Sequence, residues 1–137
     1  MANTLYDKAR ESFLKGELDW ETQNFKVILV DTGAYTPSFT AHTALADVAP
    51  GSRITPGVAL TAKTATNGAA DANDVTFSAV SGVNAEALII YLESGDSNEA
   101  NMKLIAYIDS ATGLPITPNG GDIIVVWDNG TNKIFRL

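Results

Sequence analysis

The feature that most constrains this chain is a set of short apolar runs, each bounded by turn residues. FKVILVD (25–31) and ALIIYLE (87–93) carry little polarity on either face, MKLIAYID (102–109) alternates loosely, and DIIVVWD (122–128) is apolar again. Runs of this length between Gly, Pro, Asn and Asp clusters read as strands, and those apolar on both faces read as central ones. Asp74 to Val80 alternates through Val75, Phe77 and Ala79 and reads as a half-buried strand. Val58 to Thr66 alternates small apolar residues with Thr, and Asn67-Gly68 follows as a hairpin turn signal. The runs 87–93 and 102–109 are expected to pair antiparallel across the polar loop Ser94 to Asn101. Asp122 to Asp128 and Lys133 to Leu137 are expected to pair across Asn129-Gly130-Thr131-Asn132.

Only the opening stretch reads as a helix. Thr4 and Asp7 have the spacing of a capping box in its Asp form, Glu11 and Lys15 stand at i,i+4, and Gly16 occupies a C′ position. A helix from about Leu5 to Lys15, within residues 4–16, places Leu5, Tyr6, Ala9, Phe13 and Leu14 on one broad side. That side needs a cover, either the domain's own sheet with Trp20 behind it or another molecule. Leu5, Tyr6, Phe13, Leu14 and Trp20 are therefore the candidate packing or interface residues. Thr32 to Thr55 reads as a long excursion with one helical turn around Thr43 to Val48. About seven strands after one helix give a mainly β fold, an antiparallel β-sandwich over residues 25–137 within a single domain.

Composition narrows the function classes. The 137 residues carry a formal net charge of -7, and the nine basic residues are scattered along the chain, so nucleic-acid binding is not expected. Without a cysteine the chain has neither thiol chemistry nor disulfides. No apolar run approaches the roughly 20 residues of a membrane helix, and Asp7, Lys8, Arg10 and Glu11 interrupt any signal-peptide core, so no membrane partner is expected.

The residues offer few catalytic constellations. His42 is the single histidine and has no nucleophile-elbow serine to serve; a local loop hydrogen bond accounts for it. Asp71, Asn73 and Asp74 supply oxygen ligands of the kind calcium takes but lack the EF-hand order, and turn chemistry explains them. Glu86, Glu93 and Asp109 lie on or near strands, where a glycosidase pair would need a defined separation. Tyr6, Trp20, Tyr35, Tyr91, Tyr107 and Trp127 would serve either a sugar-binding shelf or the core. Pro118 to Gly121 reads as a turn. No catalytic residue, cofactor or metal is expected.

Several blocks carry a resemblance. Ala2-Asn3-Thr4-Leu5-Tyr6-Asp7-Lys8-Ala9-Arg10-Glu11 runs on through Phe13-Leu14 and Leu18-Asp19-Trp20, and a strand ends in Val30-Asp31-Thr32. Further on stand Asp74-Val75-Thr76-Phe77-Ser78-Ala79-Val80, Ile105-Ala106-Tyr107-Ile108-Asp109 with Thr112-Gly113-Leu114-Pro115, and Pro118-Asn119-Gly120-Gly121-Asp122. Together they resemble a family of small structural proteins of tailed bacteriophages, most similar to capsid cement or decoration proteins. The resemblance implies a jelly-roll-like sandwich and a non-enzymatic virion protein made in the host bacterial cytoplasm. It also implies placement on the outer capsid surface, with the major capsid protein and further copies of itself, as a dimer or trimer, for partners. A tail or baseplate component and a glycan-binding head-surface module are the alternatives.

Overall fold

The computed structural model describes residues 3–137, so Ala2 of the opening block lies outside the described residues. The molecule is mainly β, with one α-helix and antiparallel sheets. Among the described residues ten strands occur in chain order: β1 (Thr4–Leu5), β2 (Phe25–Val30), β3 (Val58–Ala59), β4 (Thr64–Thr66), β5 (Ala69–Asp71), β6 (Val75–Phe77), β7 (Ala87–Leu92), β8 (Leu104–Ile108), β9 (Ile123–Val125) and β10 (Phe135–Arg136). They form a five-stranded sheet β1-β8-β7-β2-β3, a three-stranded sheet β10-β5-β4 and a two-stranded sheet β6-β9.

The long apolar runs build the centre of the five-stranded sheet. β2 and β7 pair without a break from Phe25 opposite Leu92 to Val30 opposite Ala87, and β7 pairs with β8 through a register shift at Ile90/Tyr91. Apart from Lys26 and Leu92, every residue of these three strands is buried, as their two apolar faces require. Asn67-Gly68 turns the β4–β5 hairpin with both residues at positive φ, 54° and 79°. The span 58–66 is not one strand: Ala62, at φ 51°, separates β3 from β4, and the two join different sheets. Ala79 also departs from the alternation. It is exposed at φ 50° just past β6, and Val80 is buried in its stead.

Helix α1 spans Asp7–Leu14, shorter than its sequence pattern indicates. No side chain caps it at the N-terminus, because its first donors are taken from elsewhere. Tyr6 N–H bonds to Ile105 of β8 and Asp7 N–H to the Phe39 carbonyl, while Thr4 Oγ1 accepts from Arg10. Thr4 and Leu5 thereby extend as β1 instead of coiling. Since Leu5 and Tyr6 are not helical, they do not set the buried side of α1. Ala9 and Ser12 set it, Phe13 is half-buried beside them, and Leu14 points outward at 90% exposure. The C-terminus follows the sequence: Gly16 at φ 73° donates to Phe13 and Glu17 donates to Ser12, which is a Schellman closure. Lys15 pairs with Glu11 one turn back.

The C-terminal hairpin does not form. β9 pairs with β6, Val75 opposite Val125, and β10 pairs with β5, Phe135 opposite Ala70. Gly130 N–H bonds back to Asp128 Oδ1 at 3.0 Å, but the turn itself falls at Thr131-Asn132 and the chain goes on to a different sheet. Between β2 and β3, short 3-10 turns at Leu45–Asp47 and Pro50–Ser52 carry the excursion, the first inside the span read as a helical turn. Arg53 fastens it, donating to the Leu45 and Val48 carbonyls and, at 2.7 and 3.0 Å, to both oxygens of Glu99.

Candidate docking cleft

Where the N-terminal and C-terminal stretches meet, the surface opens into a cleft of about 800 Å³. Asn3, β1 and α1 border it together with the end of β8, and Asp128 and residues 132–137 complete its lining. β1 and β10 are both outer strands, each hydrogen-bonded to a single neighbour in its sheet.

The cleft is apolar with a cationic border. Leu5, Phe13, Leu14, Ile134, Phe135 and Leu137 supply the apolar surface, with Leu14 at 90% and Leu137 at 63% exposure. Phe13 and Phe135 meet with ring centroids 6.0 Å apart, Phe135 meets Trp20 edge-on at 5.2 Å, and Trp20 lies 4.8 Å from Phe25 of β2. This aromatic column ties α1, β10 and the five-stranded sheet together. Trp20 Nε1 donates to the Asp71 carbonyl at 3.0 Å, which satisfies its one polar atom in the interior. A second hollow of about 390 Å³ shares Phe13, Phe135 and Leu137 with the first.

Three of the nine cations of this acidic chain gather at the cleft, against the scatter seen along the sequence: Arg10, Lys133 and Arg136. Arg10 pairs loosely with Asp7 at 3.3 Å, and Lys133 lies 3.8 Å from Asp71. Arg136 Nη1 donates to a neutral partner, the Thr131 carbonyl, at 3.1 Å. Asp128 is the one carboxylate side chain on the lining, and it is engaged by the Gly130 N–H.

Of the five residues singled out by sequence, Leu5, Phe13 and Leu14 line the cleft. Trp20 lines the smaller hollow, and Tyr6 is fully buried. Ile134, Phe135 and the two C-terminal cations were hidden by the hairpin assignment. KIFRL gives no single apolar face as a signal, because alternation sets Lys133, Phe135 and Leu137 on one side and Ile134 and Arg136 on the other.

The other constellations serve the fold. Tyr6 OH, Tyr35 OH and His42 Nδ1 form a chain of 2.9 Å hydrogen bonds, and Ser38 N–H also donates to Nδ1 at 3.1 Å. With a backbone donor on it, Nδ1 is the acceptor, so Tyr35 donates to His42 and accepts from Tyr6. Burial, then the bond with Tyr35, pushes the Tyr6 phenol far above its ordinary range; burial also raises Tyr35. Asp74 Oδ1 accepts from the Trp127 backbone and the Asn73 carbonyl from Trp127 Nε1. Among the described residues, no three His, Asp or Glu side chains converge as metal ligands.

Glu86 and Glu93 flank β7 at opposite ends, about 23 Å apart at strand rise. That exceeds any glycosidase carboxylate separation. Glu93 pairs with Lys26 at 3.2 Å, and Glu86 accepts the Thr32 N–H at 3.0 Å. Asp109 follows β8, and Tyr107 of β8 is raised to about 12 by burial first, then by Asp109, Tyr35 and Glu86. The six aromatics that would make a shelf are at most 7% exposed and belong to the core. No helix among the described residues is long and apolar enough to cross a membrane. No protein-family model matches this chain, and no curated protein matches it.

Proposed function

We propose that this chain is a non-enzymatic structural protein of a tailed-bacteriophage virion. Its role in this reading is that of a capsid cement or decoration protein, bound to the outer head surface and stabilising contacts between capsomers. The cleft is the observation that carries the reading. A strand-built body that leaves apolar side chains and two sheet edges open at one border has a surface suited to protein contact. The resemblance of the opening block, the β6 segment and the β8 segment points to the same class.

The sheets fit a jelly-roll-like sandwich in this reading. The five-stranded sheet would be one leaf and the smaller sheets the other, a reading supported by the contacts of Trp20 with Phe25 of β2 and with Phe135 of β10. The partners are the major capsid protein and further copies of this chain, whose weak contacts add through avidity on a repeating lattice.

Copy number tests the role. Quantitative protein analysis of purified virions is expected to find this chain in hundreds of copies, on the order of the major capsid protein, and retained on heads stripped of tails. A few dozen copies lost with the tails would place it in the tail or baseplate instead.

A further inference from the structure

The cleft combines apolar surface, two outer strands and three cations in a chain of net charge -7. We propose that it binds an extended acidic segment of a partner protein, laid along β10 or β1 as an added strand, with glutamate or aspartate alternating with apolar residues.

The argument is one of complementarity. The lining carries Arg10, Lys133 and Arg136 beside Phe13, Leu14 and Leu137, so a segment that alternates carboxylates with apolar side chains finds partners of both kinds there. The volume of about 800 Å³ lies in the range of concave binding sites, and the adjoining hollow lengthens it, as an extended occupant requires. An isologous second copy fits less well, because two-fold symmetry would set the same cations against each other. A nucleic-acid strand fits less well, because Phe13 and Phe135 are already packed on each other and on Trp20 and a chain of net charge -7 repels a polyanion. The inference rests on the virion reading only for which protein supplies the segment.

Fluorescence anisotropy on the intact chain tests it, with end-capped eight-residue peptides alternating leucine with glutamate, lysine or serine. The glutamate peptide is expected to bind saturably and about ten-fold more tightly than the other two. Arg136→Glu is expected to erase that margin and Arg136→Lys to keep most of it, with circular dichroism confirming that both variants fold. Equal binding of the three peptides, or an Arg136→Glu variant that binds like the parent, would overturn the proposal. So would a concentration-dependent dimer in sedimentation that Arg136→Glu dissolves, since the occupant would then be a second copy. The assay contains no heads, so its outcome and that of the copy-number measurement fail independently.

Discussion

At the scale of single residues, the interior leaves no room for revision at a few positions. A Cβ added at Gly57 would lie 2.1 Å from the Tyr91 hydroxyl and 3.1 Å from Lys26 Cδ, so Gly57 is required by space and not by backbone angle. Tyr91 is itself 4% exposed and cannot swing aside without disturbing β7. Gly57→Ala is therefore expected to destabilise by about 1–3 kcal/mol, the usual cost of overpacking, read as a lower urea midpoint at unchanged slope. The Tyr6–Tyr35–His42 chain makes a second demand. Tyr35→Phe keeps the ring but removes both a donor to His42 and an acceptor for the buried Tyr6 hydroxyl. Leaving such a group unsatisfied costs about 1–3 kcal/mol, so the variant should lose stability despite its near-identical shape. A parent-like urea midpoint would show that the chain of bonds contributes nothing net. Neither constraint is legible in sequence: Gly57 looks like loop punctuation after Pro56, and Tyr35 and His42 are separated from Tyr6 by the whole of β2.

At the scale of elements, local signals were decisive where local physics decides. β2, β7 and β8 are apolar on both faces and could go nowhere but the centre, and Asn67-Gly68 could hardly do anything but turn. The signals failed where a distant partner competed. Thr4-Asp7 has capping-box spacing, yet β8 takes the Tyr6 N–H and turns Thr4–Leu5 into a strand. Asn129-Gly130 has hairpin chemistry, yet β9 and β10 find longer-range partners in β6 and β5. The loops that link these elements are held by carboxylates. Asp47 accepts from the Thr43 and Ala44 N–H groups, and these bonds lower its pKa. Glu99 is lowered by Arg53, and Asp96 is held near 2 by Ser94 first, then Asn101 and the Asn98 N–H. Each group binds its proton more weakly folded than unfolded, so its contribution is complete above the ordinary carboxylate range and is lost as pH falls toward the lowered values. Stability measured by urea unfolding should thus be level near neutrality and decline from about pH 5 downward. Asp47→Asn should be less stable at neutral pH and decline less steeply; an unchanged slope would remove Asp47 from that account.

At the scale of the whole molecule, the opening helix is both part of the body and part of its outer surface. The two roles fall on different residues. Leu5, Tyr6 and Ala9 are at most 5% exposed and cover β8, while Leu14 is 90% exposed over the cleft. In sequence Leu14 groups with the apolar side because of its chemistry; at 100° per residue it stands about 140° from Ala9 and about 160° from Ser12, the buried residues of α1, and so faces outward. Burying each large side chain contributes about 1.5–3 kcal/mol. Losing Leu5, Tyr6 and half-buried Phe13, together with the β1 hydrogen bonds, is thus comparable to the roughly 5–15 kcal/mol that holds a whole domain together. A chain lacking residues 3–16 is accordingly expected to show no cooperative unfolding transition. Leu14→Asp, in contrast, removes little buried surface and costs only the penalty of a carboxylate in the last turn of a helix, so its stability should stay within about 1 kcal/mol of the parent, with any larger loss confined to binding at the cleft. If the truncated chain unfolds cooperatively, or if Leu14→Asp is strongly destabilised, the division of the helix into an inner and an outer side is wrong. If both results come out as expected, Leu14 becomes the substitution with which to probe the cleft without disturbing the fold that presents it.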